Sequence, residues 1–418
     1  MVSNQRVQTD VGLVPSDWQV VNWEDAASCF SSGATPYRGI ERYYKGYIKW
    51  VSSGELNLNL ILDTREHISE EAKKKTNLRL HPAGTFLMAI TGLEAAGTRG
   101  SCAILGVPAT TNQSCMAIYD SDILLNKYLF YFYCYHGDDF ALRFCQGTKQ
   151  QSYTASIVKQ LPIALPQINE QQKIITALSD MDELILSLEK LIAKKKNIRE
   201  GAMQELLTQK KEFPFIDNSE VDYRIGEIGD FYSGLTGKSK DDFGTGNAKY
   251  ITFLNVLSNS IIDISILERV NVEDGEIQNV ARIGDLFFNT SSETPEEVGM
   301  CAVLLDDVRN VYLNSFCFGY RIKSKDVDPL FFSYYFNSQE GRKIMSVLAQ
   351  GSTRYNLSKS YFADTVVRFP KYEKQKLIAQ ILHDMDTEIE SLQSKLEKYR
   401  QMKSGMMDEL LTGKVRLV

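Results

Sequence analysis

At 418 residues, 43% hydrophobic and 24% charged, with a formal net charge of −6, the chain has the composition of a globular protein of about two to four domain-sized units. No apolar run approaches the roughly 20 residues that cross a bilayer, and the opening MVSNQRVQTDVGLVPSDW lacks a basic segment followed by an apolar stretch, so a cytoplasmic protein with no membrane role is expected. The acidic balance runs against nucleic-acid binding, which favours a basic face, without deciding it, because local patches can oppose the net sign.

In chain order, the first globular stretch (1–165) contains GTFLMAI at 84–90, an apolar run bounded by turn residues that reads as a buried strand. LFYFYCY at 129–135 opens a helix, and its apolar density assigns it to a core rather than to base stacking. A helical segment follows at 166–212. The second globular stretch (213–369) repeats the pattern, with DLFFN at 285–289 as a buried strand and LFFSYYF at 330–336 opening a helix. A last helical segment occupies 370–418.

The two halves are a tandem repeat. Residues 165–210 align without a gap on 369–414. Pro166 falls on Pro370, Asp180-Met181-Asp182 on Asp384-Met385-Asp386, and Glu205-Leu206-Leu207-Thr208 on Glu409-Leu410-Leu411-Thr412, a constant offset of 204 residues (370 − 166). Upstream, Gln146-Gly147 pairs with Gln350-Gly351 at the same offset, and the matches become looser beyond it. In the second helix Ile378, Leu382, Met385, Ile389, Leu392, Leu396 and Tyr399 alternate spacings of four and three. The first repeats this at Ile174, Leu178, Met181, Ile185, Leu188 and Ile192. Such a seam belongs to a coiled coil. The expected fold is α+β: two globular domains in tandem, each followed by a long helix, the two helices pairing as an antiparallel coiled coil.

Signals for catalysis are missing. Gly237-Lys238-Ser239 has Tyr232 where a phosphate-binding loop requires its first glycine. None of the ten prolines adjoins another, against the proline pair usual in an amino-methyltransferase. The four histidines are widely spaced, and the seven cysteines lack metal or redox spacing and read as buried thiols in a reducing compartment. No metal site is expected.

The first half carries Gly12-Leu13-Val14-Pro15-Ser16-Asp17-Trp18, Gly33-Ala34-Thr35-Pro36, Tyr47-Ile48-Lys49-Trp50, Ile68-Ser69-Glu70-Glu71-Ala72, Pro82-Ala83-Gly84-Thr85, Asn112-Gln113-Ser114, Gly147-Thr148, Leu165-Pro166 and Glu170-Gln171. In this order and spacing the chain resembles the specificity subunit of a type I restriction-modification system. The second half keeps the frame with Ser233-Gly234-Leu235-Thr236-Gly237 in place of the Gly-x-Thr-Pro turn and Lys374-Gln375 in place of Glu-Gln. The resemblance implies two target-recognition domains, each reading half of an interrupted, asymmetric site in double-stranded DNA, with helices as spacers between them. It also implies two modification subunits that methylate adenine and two restriction subunits that translocate and cleave. S-adenosylmethionine, ATP and Mg then belong to those partners, with no cofactor and no catalytic residue expected here.

Base edges are read by polar side chains, while Lys and Arg on phosphates set register. Candidates in the polar loops are Tyr37, Arg38, Lys49, Arg99, Gln113 and Thr148 in the first domain, and Lys238, Lys240, Lys249, Ser291, Ser292 and Thr353 in the second. Each also reads as an ordinary surface residue, and the glycine-led segments of Thr148 and Thr353 as domain-closing turns. Two other readings stay open: a specificity subunit of a modification-only or other methyltransferase system, and a coiled-coil adaptor that binds only proteins.

Overall fold

The computed structural model describes residues 5–95, 97–147, 151–208 and 211–418. They form two compact units, Met1–Glu189 with Ser394–Val418, and Lys190–Gln393. These units cut across the segments drawn from sequence (1–165, 166–212, 213–369, 370–418) because each core draws in part of both long helices.

The first unit is built on a five-stranded sheet in the order Cys29–Ser32, Cys115–Tyr119, Phe86–Ala89, Cys102–Leu105, Asn59–Ile61. Neighbours run antiparallel except the last pair, which is parallel. Phe86–Ala89 and Cys102–Leu105 are buried at every position, so side chains alternating between faces demand cover on both. The helix Asn126–Phe144 packs on these strands with Tyr128, Leu129, Phe132, Tyr133 and Phe140 fully buried. It crosses close to the loop at Gly100, where a Cβ on Gly137 would stand 2.6 Å from the Gly100 Cα. Beside the sheet sits a satellite of three strands, Thr110–Thr111, Ile48–Val51 and Glu66–Ile68. The satellite has its own core of Tyr43, Ile48, Trp50, Ile68, Ala72 and Leu78. Gln19–Asn22 pairs with Pro162–Leu165 and delivers the chain to the first long helix.

The second unit repeats this plan. Its sheet runs Gly229–Ser233, Cys317–Ile322, Leu286–Asn289, Cys301–Val303, and a single parallel bridge, Ile261 to Val303, stands where the first unit has its fifth strand. The satellite is Glu268–Val270, Phe243–Ile251, Val311–Leu313, again one antiparallel and one parallel neighbour around a central strand. The covering helix Pro329–Asn337 begins on Asp328, whose carboxylate accepts from the Phe331 N–H at 2.8 Å, with proline in its first turn. Arg342 holds the neighbouring loop: its guanidinium donates to the carbonyls of Glu296, Val298 and Gly299, and burial lowers its pKa to about 10.

The two long helices, Ile168–Leu207 and Tyr372–Leu411, pack together as an antiparallel pair. In the first unit Ile174, Ile175 and Leu178 share a core with Met406, Met407, Leu410 and Leu411. In the second, Met203, Leu206 and Leu207 share one with Ile378, Ala379 and Leu382. Ion pairs follow the same sense, Lys403–Asp182 at 2.6 Å and Arg400–Glu189 at 2.7 Å in the first unit, Lys195–Glu388 at 2.7 Å and Arg199–Asp386 at 2.8 Å in the second. As one residue number rises its partner's falls.

Two attachments are duplicated, their long-helix residues at the 204-residue offset and their partners near the covering helix at 203 (334 − 131). The Gln171 amide, fully buried, donates to the carbonyls of Ile123 and Pro166 and accepts from the Leu125 N–H. Gln375 does the same with Asp326, Pro370 and the Asp328 N–H. Asp182 accepts from the Tyr131 hydroxyl at 2.8 Å and pairs with Lys403. Asp386 accepts from the Tyr334 hydroxyl at 2.8 Å and pairs with Arg199. In each unit one carboxylate therefore ties the covering helix to both long helices.

Candidate nucleic-acid interface

In the first unit Tyr37, Arg38, Lys49 and Gln113 gather around the satellite. Tyr37 is 73% exposed. Arg38 forks onto Glu66 and lies over the rings of Tyr44 and Trp50, 4.3 and 5.2 Å from their centroids. The Lys49 Nζ reaches Asp63 at 2.5 Å, and His67 approaches the same carboxylate at 3.1 Å. Arg42 with Glu71 and Lys45 with Glu41 continue the pattern. Each of these cations carries a carboxylate partner, so the surface is charge-balanced as it stands. Exposed pairs of this kind are worth only about 0–1 kcal/mol, so a phosphate can take the carboxylate's place.

Arg99 is placed elsewhere. Its Nε lies 3.0 Å from Asp138 on the covering helix, with the side chain 17% exposed. Thr148 lies outside the described residues.

In the second unit Lys240 and Lys249 are exposed on the satellite and its entry loop. Lys238 differs: its side chain is 7% exposed and its Nζ contacts Glu276 at 2.5 Å. That pair is part-buried and commits the Lys238 ammonium to Glu276, unlike the exposed Lys240 and Lys249. Ser291 and Ser292 lie on a small ribbon in which Ser291–Ser292 pairs with Tyr355–Leu357, and Thr353 lies in the bend that precedes that strand. Ser291 is buried and accepts from the Arg354 Nε at 3.2 Å, Ser292 donates to Glu297 at 2.7 Å, and Thr353 is exposed.

Protons report on these loops. The Lys49 ammonium, followed by the Thr64 backbone N–H, holds Asp63 down at about 2. A carboxyl depressed in the folded state stabilises fully above its unfolded value of 3.8 and loses that contribution as the pH falls toward about 2. Acidification through that window is expected to loosen the first satellite. The measurement is Trp50 emission, taken as the difference from a Trp50→Phe variant, with a red shift that Lys49→Met removes. Emission unchanged to pH 2 would contradict it.

Sequence reasoning did not single out Gln171, Gln375, Asp182 and Asp386 as attachments, although the identities at the constant offset were available to find them. Arg342 had no such signal, since its carbonyl partners lie more than 40 residues away. The cysteines are free, but Cys29, Cys134 and Cys145 are only half-buried, which corrects the reading of all seven as buried. Among the described residues no cluster of three or more His, Cys, Asp or Glu could hold a metal ion, and no helix is long and apolar enough to cross a membrane.

The type I restriction modification DNA specificity domain matches twice, at residues 15–199 and 217–398, and the chain belongs to that family. The MjaIX specificity subunit of Methanocaldococcus jannaschii is 34% identical over 182 residues, 43% of this chain and 41% of that protein. The MjaVIII specificity subunit of the same organism is 23% identical over 97% of this chain and 94% of its own length. In fold, the crystal structure of the type I restriction-modification S subunit from M. genitalium is similar at a TM-score of 0.58 and 14% identity, covering 98% of this chain and 99% of that one. Specificity subunits of this family are not the catalysts of their systems.

Proposed function

We propose that the chain reads one half of an interrupted DNA site with each globular domain, 1–165 and 213–369, and so directs partner subunits to the adenines they methylate and the DNA they cut. The helical segments 166–212 and 370–418 serve as the spacer that carries the domains and as the seat of two modification subunits, through which two restriction subunits join. The methyl donor, ATP and Mg are held by those partners.

The observation that supports this most is a repeated frame with unlike surfaces. Both units share four strands of the sheet, the satellite and the attachments, yet around the satellite one presents Tyr37, Arg38, Lys49 and Gln113, and the other presents Lys240 and Lys249. Unlike readers on one frame fit an asymmetric site. The test is to map methylated adenines in host DNA with the gene present and deleted. One bipartite motif is expected to vanish on deletion, and exchanging one globular half should rewrite one half-motif. A methylation map indifferent to the gene would overturn the proposal, and retention of protein partners without sequence-dependent DNA retention would favour an adaptor.

A further inference from the structure

One turn is built twice, bond for bond, where each satellite joins its main sheet. In the first unit the Asn112 N–H donates to the Val51 carbonyl at 2.8 Å, Ser114 N–H to the Asn112 Oδ1 at 3.1 Å, and Cys115 N–H to the Asn112 carbonyl at 3.3 Å. The Ile90 N–H donates to the Ser114 carbonyl at 2.9 Å, and Ala34 N–H to the Thr111 carbonyl at 3.1 Å. In the second unit the same five bonds run from Asn314 to Ile251 (3.0 Å), Phe316 to the Asn314 side chain (2.8 Å), Cys317 to Asn314 (3.1 Å), Thr290 to Phe316 (3.0 Å) and Leu235 to Leu313 (2.7 Å). Gly33 and Gly234 close the frame. A Cβ on Gly33 would fall 2.0 Å from the Thr111 carbonyl oxygen, and one on Gly234 2.1 Å from that of Asn314.

Within this frame the tips differ. The first unit has Gln113-Ser114 and the second has Ser315-Phe316. Gln113 is exposed, and its Oε1 accepts from the Thr35 hydroxyl, which leaves the amide N–H groups available as donors. Phe316 is 58% exposed on a backbone pinned at both its N–H and its carbonyl, the latter also taken by the Thr290 hydroxyl at 2.7 Å. Singly exposed apolar residues are ordinary. A phenyl ring on a rigid turn is different when that turn's copy carries an amide at its tip, because the fold requires neither side chain and the frame fixes where both sit.

Resting on the DNA-reading function above, we propose that these two turns are specificity-determining contacts, Gln113 donating to an acceptor on a base edge and Phe316 packing on the C5-methyl of a thymine. An amide donor fits the N7, O6 or O4 acceptors of the major groove, and an apolar side chain fits the one methyl displayed there. Because the turns are already ordered, neither contact requires the backbone to be ordered on binding.

The test uses the full chain in its complex, mapping methylation in host DNA for Phe316→Ala, Phe316→Leu, Gln113→Ala and the double change Gln113→Ser with Ser114→Phe. Phe316→Ala is expected to relax one position in one half-motif by about tenfold, with the other half unchanged. Gln113→Ala should relax one position in the opposite half, and the double change should shift that position toward thymine. In retention assays, uracil in place of that thymine should weaken the parent complex about tenfold and leave Phe316→Ala indifferent, whereas Phe316→Leu, which still offers apolar surface, keeps part of the preference. Variants that give the parent motif unaltered, or that degrade both halves together, overturn this assignment while leaving the DNA-reading function in place. A parent complex with no bipartite motif at all overturns the functional reading itself.

Discussion

Replacing Arg416 by alanine is expected to destabilise the first unit by about 3–5 kcal/mol, the range for removing one member of a buried ion pair. Its guanidinium grips Glu170 at 2.7 and 2.8 Å and Asp17 at 2.8 and 3.0 Å, and the side chains of Arg416 and Glu170 are 14% and 4% exposed. Without the cation, the buried Glu170 carboxylate loses its counter-charge while staying out of water. Part of the deficit should fade as the pH falls below 3.8, because the hydrogen bond from Arg416 holds the Asp17 carboxyl below that ordinary value and the stability this contributes is present only above it. Tryptophan emission in urea measures it directly, because Trp18, Trp23 and Trp50 all lie in the first unit. Adding Glu170→Gln should recover much of the loss. If the single variant unfolds at the parent's urea midpoint, the ion pair does not matter to the fold.

Phe288→Ala should weaken the second unit by a similar amount, about 3–5 kcal/mol for deleting a fully enclosed ring. Phe288 lies 5.2 Å from the ring centroids of both Phe318 and Phe362, and 6.4 and 6.2 Å from those of Phe332 and Phe336. Its removal leaves four aromatic neighbours without cover on one side. The expected result is a lower urea midpoint by circular dichroism, with the tryptophan transition moved much less. Shifts of equal size in both signals would mean that the units melt together.

The helices were the most legible part of the sequence. A seam of Ile174, Leu178, Leu188 and Ile192 in one copy and Ile378, Leu382 and Ile389 in the other is buried as the spacing required. Met181, Ile185, Met385, Leu392, Leu396 and Tyr399 are half-buried. The buried strands were legible for the same reason: Phe86–Ala89 and residues 286–288 are apolar at consecutive positions and bounded by turn residues.

The candidate site was much less so. Nothing local to Lys238 announces that Glu276, 38 residues on, pairs with its ammonium, or that Asp63 meets Lys49. Charge partners across loops are fixed by tertiary placement, which periodicity does not carry. The Lys374 departure from the Glu-Gln pattern is explained the same way. Glu170 faces Arg416, whereas the Lys374 Nζ faces the Asn218 Oδ1 at 3.0 Å and the ring of Phe213. Opposite charges suit the two positions because their neighbours differ.

The residues from 394 to 418 complete a core that begins near residue 11, with Gly413 against Pro15 and Trp18, Arg416 over the Trp18 ring at 5.6 Å, and Leu417 against the same cluster. A ribosome supplies those residues only after the whole of the second unit has been made. The first unit therefore emerges with Trp18, Ile174 and Leu178 lacking their final cover, while Lys190–Gln393 is finished without waiting for any later segment. The half synthesised second is in this respect free to mature first, and a stalled or truncated message leaves an amino-terminal half whose core is uncovered.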